Sequence, residues 1–151
     1  MTILHAVVAA ILALGPAPPD GAEVLHAWDD RRSAAWAAGD VAALRSLYTP
    51  GSAAGRADVA MLRAWGARGL RVEGLRMQLL AVETRRRTPD RLVLAVTDRL
   101  AGGVAMPGRL PLPRDRPSRH VLTLRLAAGE WRVAQAMPVR MTSPTVRSWK
   151  R

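Results

Sequence analysis

The sequence has no Cys and no Phe, a single Tyr and three scattered His. Without Cys there is no thiol nucleophile, disulfide or Cys-ligated zinc, and the redox compartment stays open because the absence fits either side. The three His do not have the spacing of a metal site, so neither metal nor cofactor is expected. All but one of the 23 basic residues are Arg, spread from Arg31 to Arg151, and the formal charge is +11. A balance of that sign suits nucleic acid or anionic lipid. Yet no basic stripe with interleaved stacking aromatics is present, so the arginines read as a solvated surface and nucleic acid is not an expected partner. Abundant Ala, Gly, Pro and Arg is the bias of a G+C-rich, bacterial coding sequence.

What is present fits one domain, since the 151 residues are enough to bury a core. Residues 1–21 stand apart as an apolar segment and a Pro-rich linker. The run ILHAVVAAILAL, Ile3 to Leu14, carries no charge and is followed by GPAPPDG. It is shorter than the roughly 20 residues of a membrane-spanning helix and matches a signal-peptide apolar region. No Lys or Arg precedes it, and Pro16, Pro18 and Asp20 spoil the small-residue cleavage sites. An uncleaved anchor, or a truncated start, fits better, so a membrane-anchored or exported chain with membrane contact through residues 3–14 is expected; the alternative is a cytoplasmic chain. Beyond Pro138 the tail is basic and unpatterned.

Between these ends, residues 22–137 change from a helical to a two-residue period. Leu25, Trp28, Ala35 and Trp36 recur at helical spacing, with Asp29, Asp30, Arg31 and Arg32 largely on the other flank. Gly39 ends this helix and Asp40 can cap the next, which carries Leu44, Leu47 and Tyr48 before Pro50. A third helix presents Val59, Leu62 and Trp65 and ends at Gly66 or Gly69. From Leu70 the apolar residues alternate, with phase slips near Gly74 and Leu80 that predict β-bulges and a strongly bent strand. Thr88-Pro89-Asp90 turns into RLVLAVTDRL, and AGGVAMPGRLPLPRDRPS reads as a long hairpin with irregular ends at Gly102-Gly103 and Pro111 to Pro117. HVLTLRL and EWRVAQAM supply the last two strands. The order predicts an α+β fold, three N-terminal helices packed on a strongly curved antiparallel sheet of about four strands.

The stretch AWAAGDVAALRSLYTP and the terminal GEWRVA resemble the superfamily of nuclear transport factor two and the SnoaL-like proteins. There a first helix ends in Gly-Asp, a second carries Ala-Leu and Leu-Tyr before Pro, and a closing strand reads Gly-x-Trp-x-Val. The resemblance implies a cystatin-like cone in which the helices lie along the open side of the curled sheet and enclose an apolar cavity. It also implies a homodimer through the exposed sheet face. Members include isomerase-like, cyclase-like and dehydratase-like enzymes as well as adaptors and anchored assembly domains, so the fold does not fix the function.

Strand parity carries Asp98 on from Leu92, Leu94 and Val96, and sets His120 before Leu122, Leu124 and Leu126. Both are therefore candidates to enter the cavity as a proton-transfer pair. The competing arrangement pairs Asp98 with Arg99 or Arg119 at the sheet edge. Trp28, Trp36, Tyr48 and Trp65 are candidate cavity-lining or core residues, and Gln135, on the parity of Trp131, is the expected polar group of the last strand. Asp115, Ser118 and His120 form no triad signature. Because few polar residues share an inner parity, the sequence favours a non-catalytic binding or assembly domain, membrane-tethered, taking a small apolar ligand or a protein partner. The alternative is a small cavity enzyme, an isomerase, cyclase or dehydratase acting on an apolar ring compound.

Overall fold

The computed structural model describes residues 19–140; the apolar run 3–14 and the tail from 141 lie outside the described residues. Helix α1 (Gly21–Ala38) ends where Gly39 takes φ 66°, a left-handed conformation that costs glycine nothing. The Asp40 carboxylate then accepts the Ala43 N–H at 2.9 Å and starts α2 (Val41–Ser46). A stop and an immediate restart thus turn the chain. Helix α2 ends before Tyr48, which instead forms a parallel bridge with Val133. Helix α3 (Ala53–Ala67) begins at Ser52, whose hydroxyl accepts the Gly55 N–H.

The sheet follows in antiparallel order β1 (Arg71–Thr88), β2 (Arg91–Met106), β4 (Ser118–Ala127), β5 (Glu130–Pro138), with the two-residue β3 (Leu110–Pro111) attached to β2. Strand β2 runs through Gly102-Gly103 to Met106, and the irregularity expected there is a shift in its register with β1, which pairs Glu73 with Val104 but Arg76 with Gly102. Only the returning arm of the expected hairpin is short. Helix α1 packs on β1, while α3 packs on α2 and β5. Between them Leu44, Leu92, Leu94, Val96, Leu124 and Val133 are fully buried. Among the described residues no helix is long and apolar enough to cross a membrane.

Both expected phase slips are breaks in the β1–β2 register, one between Glu73 and Arg76 and one between Leu79 and Ala81. They turn Gly74 to φ 62° and leave Leu80 45% exposed. Of two further breaks, one lies between Arg76 and Met77, and the other, between Thr84 and Arg86, falls in a charged run where no apolar alternation could reveal it. Each extra residue bends the strand, and a bent β1 brings α1 over the inner face of the sheet. A Cβ at Gly74 would meet nothing within 4 Å, so Gly74→Val tests the backbone alone. It should cost about 1–2 kcal/mol by placing a β-branched residue at positive φ; an unchanged urea midpoint would refute this.

Candidate functional site

A cavity of about 410 Å³ lies between α1, α3 and the inner face of the sheet. Its walls are mostly apolar: Leu25, Trp28, Met61, Met77, Leu79 and Leu122 are among them. Six charged or titratable side chains also line it, Asp29, Arg32, Tyr48, Asp58, Asp98 and His120. Trp28 is fixed by its Nε1–H, which donates to the Leu47 carbonyl at 2.9 Å, and meets Tyr48 edge to face at 5.4 Å. Tyr48 can approach α3 because residue 55 is glycine: a Cβ there would fall 2.6 Å from the tyrosine ring.

Asp98 is carried inward by the parity of β2 and is 7% exposed. On the next strand Val96 pairs with His120 and Asp98 with Ser118, which sets the imidazole diagonally beside the carboxylate. His120 Nε2 lies 3.4 Å from Asp98 Oδ2. The other oxygen, Asp98 Oδ1, is buried with no hydrogen-bond partner. Burial raises the Asp98 pKa above the ordinary carboxylate value, while the charges of His120 and Arg32 pull it back. Arg99 bonds Gln78 instead, so the edge pairing with Asp98 does not form through that residue.

A second polar group is buried in the wall. Arg32 donates through Nε and Nη2 to both oxygens of Asp58, at 2.7 and 2.8 Å. The same carboxylate accepts the Tyr48 hydroxyl at 2.7 Å and Trp36 Nε1–H at 3.2 Å. Burial by itself would push the Asp58 pKa up, but the bonds from Arg32, Tyr48 and Trp36 outweigh it and hold it below the ordinary value. Tyr48 is raised, first by burial and then by the Asp58 charge, so its hydroxyl remains a proton donor to Asp58. Asp29, one turn before Arg32, accepts the Met77 N–H at 3.1 Å; burial raises its pKa more than that bond lowers it.

Of the residues expected in the cavity, Trp28, Tyr48, Asp98 and His120 line it. Trp36 is instead buried behind Asp58, and Trp65 packs against Trp36 with ring centres 6.1 Å apart, so neither lines the cavity. Gln135 is exposed. A register break in β4–β5 takes Leu124 to Val133 but Thr123 to Gln135, and the added residue gives the inward position to Ala136. Asp29 and Arg32 were assigned to the outer flank of α1, yet they fall on the stripe Leu25, Trp28, Asp29, Arg32, Trp36. Asp58 likewise precedes Leu62 by one turn. The signal was the stripe itself, read without regard to charge. Among the described residues no group of three metal-ligating side chains occurs.

Three helices on a curled antiparallel sheet, closing over one mixed cavity, define the cone-shaped α+β class. The chain has the nuclear transport factor two-like fold. Aln2 from a Streptomyces species superposes with a TM-score of 0.56 at 13% identity, over 81% of this chain and 93% of that one. An NTF2-like protein from Cytophaga hutchinsonii gives 0.53 at 16%, over 82% and 100%. An NTF2-like protein of unknown function in nutrient uptake from Rhodospirillum rubrum gives 0.50 at 19%, over 78% and 98%. No family model matches the sequence, and no curated protein does.

Proposed function

We propose that the chain is a small cavity enzyme that moves a proton on an apolar ring compound, an isomerase, cyclase or dehydratase. The observation that carries this reading is the Asp98–His120 pair, buried in the cavity with one carboxylate oxygen free of any protein partner. Asp98 takes a proton from a carbon beside a carbonyl, and the electron pair moves to the carbonyl oxygen. The electron pair returns from the oxygen as His120 gives a proton to a second carbon, and Asp98 then passes its proton to His120 across their 3.4 Å contact, so an isomerisation balances without a co-reactant. Arg32 lines the cavity with Nε and Nη2 already committed to Asp58, and its positive charge favours the developing oxyanion.

The cavity's large apolar wall also favours a second reading, ligand binding without turnover, as in a carrier or assembly domain. Native mass spectrometry of the purified chain would identify what the cavity retains. Hydrogen–deuterium exchange at the carbons of that compound, followed by NMR in D2O, then separates the readings. Exchange accelerated by the chain supports the enzyme; tight retention with no exchange would sink it.

A further inference from the structure

Three of the chain's 12 acidic residues, Asp29, Asp58 and Asp98, meet at the cavity in a protein of formal charge +11. Asp58 is neutralised by the bidentate pair with Arg32. Asp29 has one oxygen on the Met77 N–H, and no ion pair with a basic side chain reaches it among the described residues. Asp98 Oδ2 lies beside His120, and its buried Oδ1 has no hydrogen-bond donor. The Arg32 charge also acts on Asp29 and Asp98, so three carboxylates line one space with one guanidinium and one imidazole.

We propose that the cavity binds an organic ammonium, an apolar compound carrying one protonated nitrogen, seated at Asp29 in the field of Asp98. This names the substrate class of the site and rests on the same cavity being the ligand site. A compact cation with several N–H donors supplies what both carboxylates lack, and burial strengthens the attraction over its value in water. Burial is the first cause of the raised pKa of each carboxyl group, and a cation beside it favours the ionised form. The remaining walls suit the same ligand. Trp28 offers an aromatic surface for the cation, while Met61 and Met77 fit an irregular apolar body. A metal ion would need a third ligand that the described residues do not provide. The surface arginines lie in solvent and are screened over roughly 8 Å, so they do not cancel a contact made inside the cavity.

The test is isothermal titration of the full chain at pH 7 with three cage compounds of one shape: 1-adamantylammonium, 1-adamantanol and adamantane-1-carboxylate. The ammonium should bind about tenfold or more tightly than the alcohol, and the carboxylate more weakly than either. Asp29→Asn should erase the preference while its thermal melt shows a folded chain. Equal binding of ammonium and alcohol, a preference for the carboxylate, no binding of the ammonium, or a preference that survives Asp29→Asn would each overturn the inference. A chain that accelerates proton exchange but does not prefer the ammonium loses only this inference. One that prefers it without catalysing exchange loses only the enzyme reading.

Discussion

Asp58→Ala should destabilise the fold by about 3–5 kcal/mol, the usual cost of removing one partner of a buried ion pair. The loss has several sources. Arg32 keeps its charge in the wall of the cavity, and the Tyr48 hydroxyl and Trp36 indole N–H lose their acceptor. Urea unfolding of Asp58→Ala and of the double variant Arg32→Met/Asp58→Leu checks the argument, because the double variant leaves no orphaned charge and should recover much of the loss. Equal instability of the two would show that volume, not charge, holds this wall.

The pH dependence follows from opposite signs at three carboxylates. Asp58 has a lowered pKa, so its contribution is complete above the ordinary value of 3.8 and vanishes as pH falls through the lower folded value. Asp29 and Asp98 have raised values, so their ionised forms cost stability at neutral pH. That cost is relieved as pH falls through their folded values and is gone below 3.8. The chain should therefore gain stability on mild acidification and lose it sharply below that point. Melts from pH 7 downward that decline steadily would contradict this assignment of signs.

Asp98→Asn and His120→Ala should each lower the rate of proton exchange about 10²–10⁴-fold, the range attributed to one positioned acid or base. Asp98→Asn should also raise the melting temperature at pH 7, because it removes a carboxylate whose ionised form the cavity disfavours. That advantage should shrink as pH falls through the raised folded value of Asp98. Loss of activity together with a gain in stability is the signature of a charge kept for function. A variant that lost activity through misfolding would show the opposite shift. Asp98→Asn with full exchange activity would remove Asp98 from the mechanism.

The fold and half of the candidate site were legible in the sequence for different reasons. Helix ends and bulges are written locally: Gly39-Asp40 marks the restart, and the slips at Gly74 and Leu80 mark the bends. Asp98 and His120 were found by parity, which is reliable within one uninterrupted strand. The same parity failed at Gln135, because the bulge lies between two residues with no apolar phase on its far side. Asp29, Arg32 and Asp58 were missed for a deeper reason. The cost of burying a charge makes an outward placement the default for each residue taken singly, and only the meeting of α1 with α3 removes that cost.

Each of the two outer borders of the sheet is occupied at one point, and this bears on how copies of the chain can meet. On β1, Asp29 takes the Met77 N–H and the register breaks interrupt the rest of the strand. On β5, the Val133 N–H goes to Leu47 and its carbonyl takes the Thr49 N–H, so the stretch around Tyr48 acts as a short cover strand. Each occupied point interrupts the run of free N–H and C=O groups that could template strand addition. The contacts that dock α1 and the stretch around Tyr48 on the sheet thus also shorten the stretches along which a neighbouring chain could add a strand.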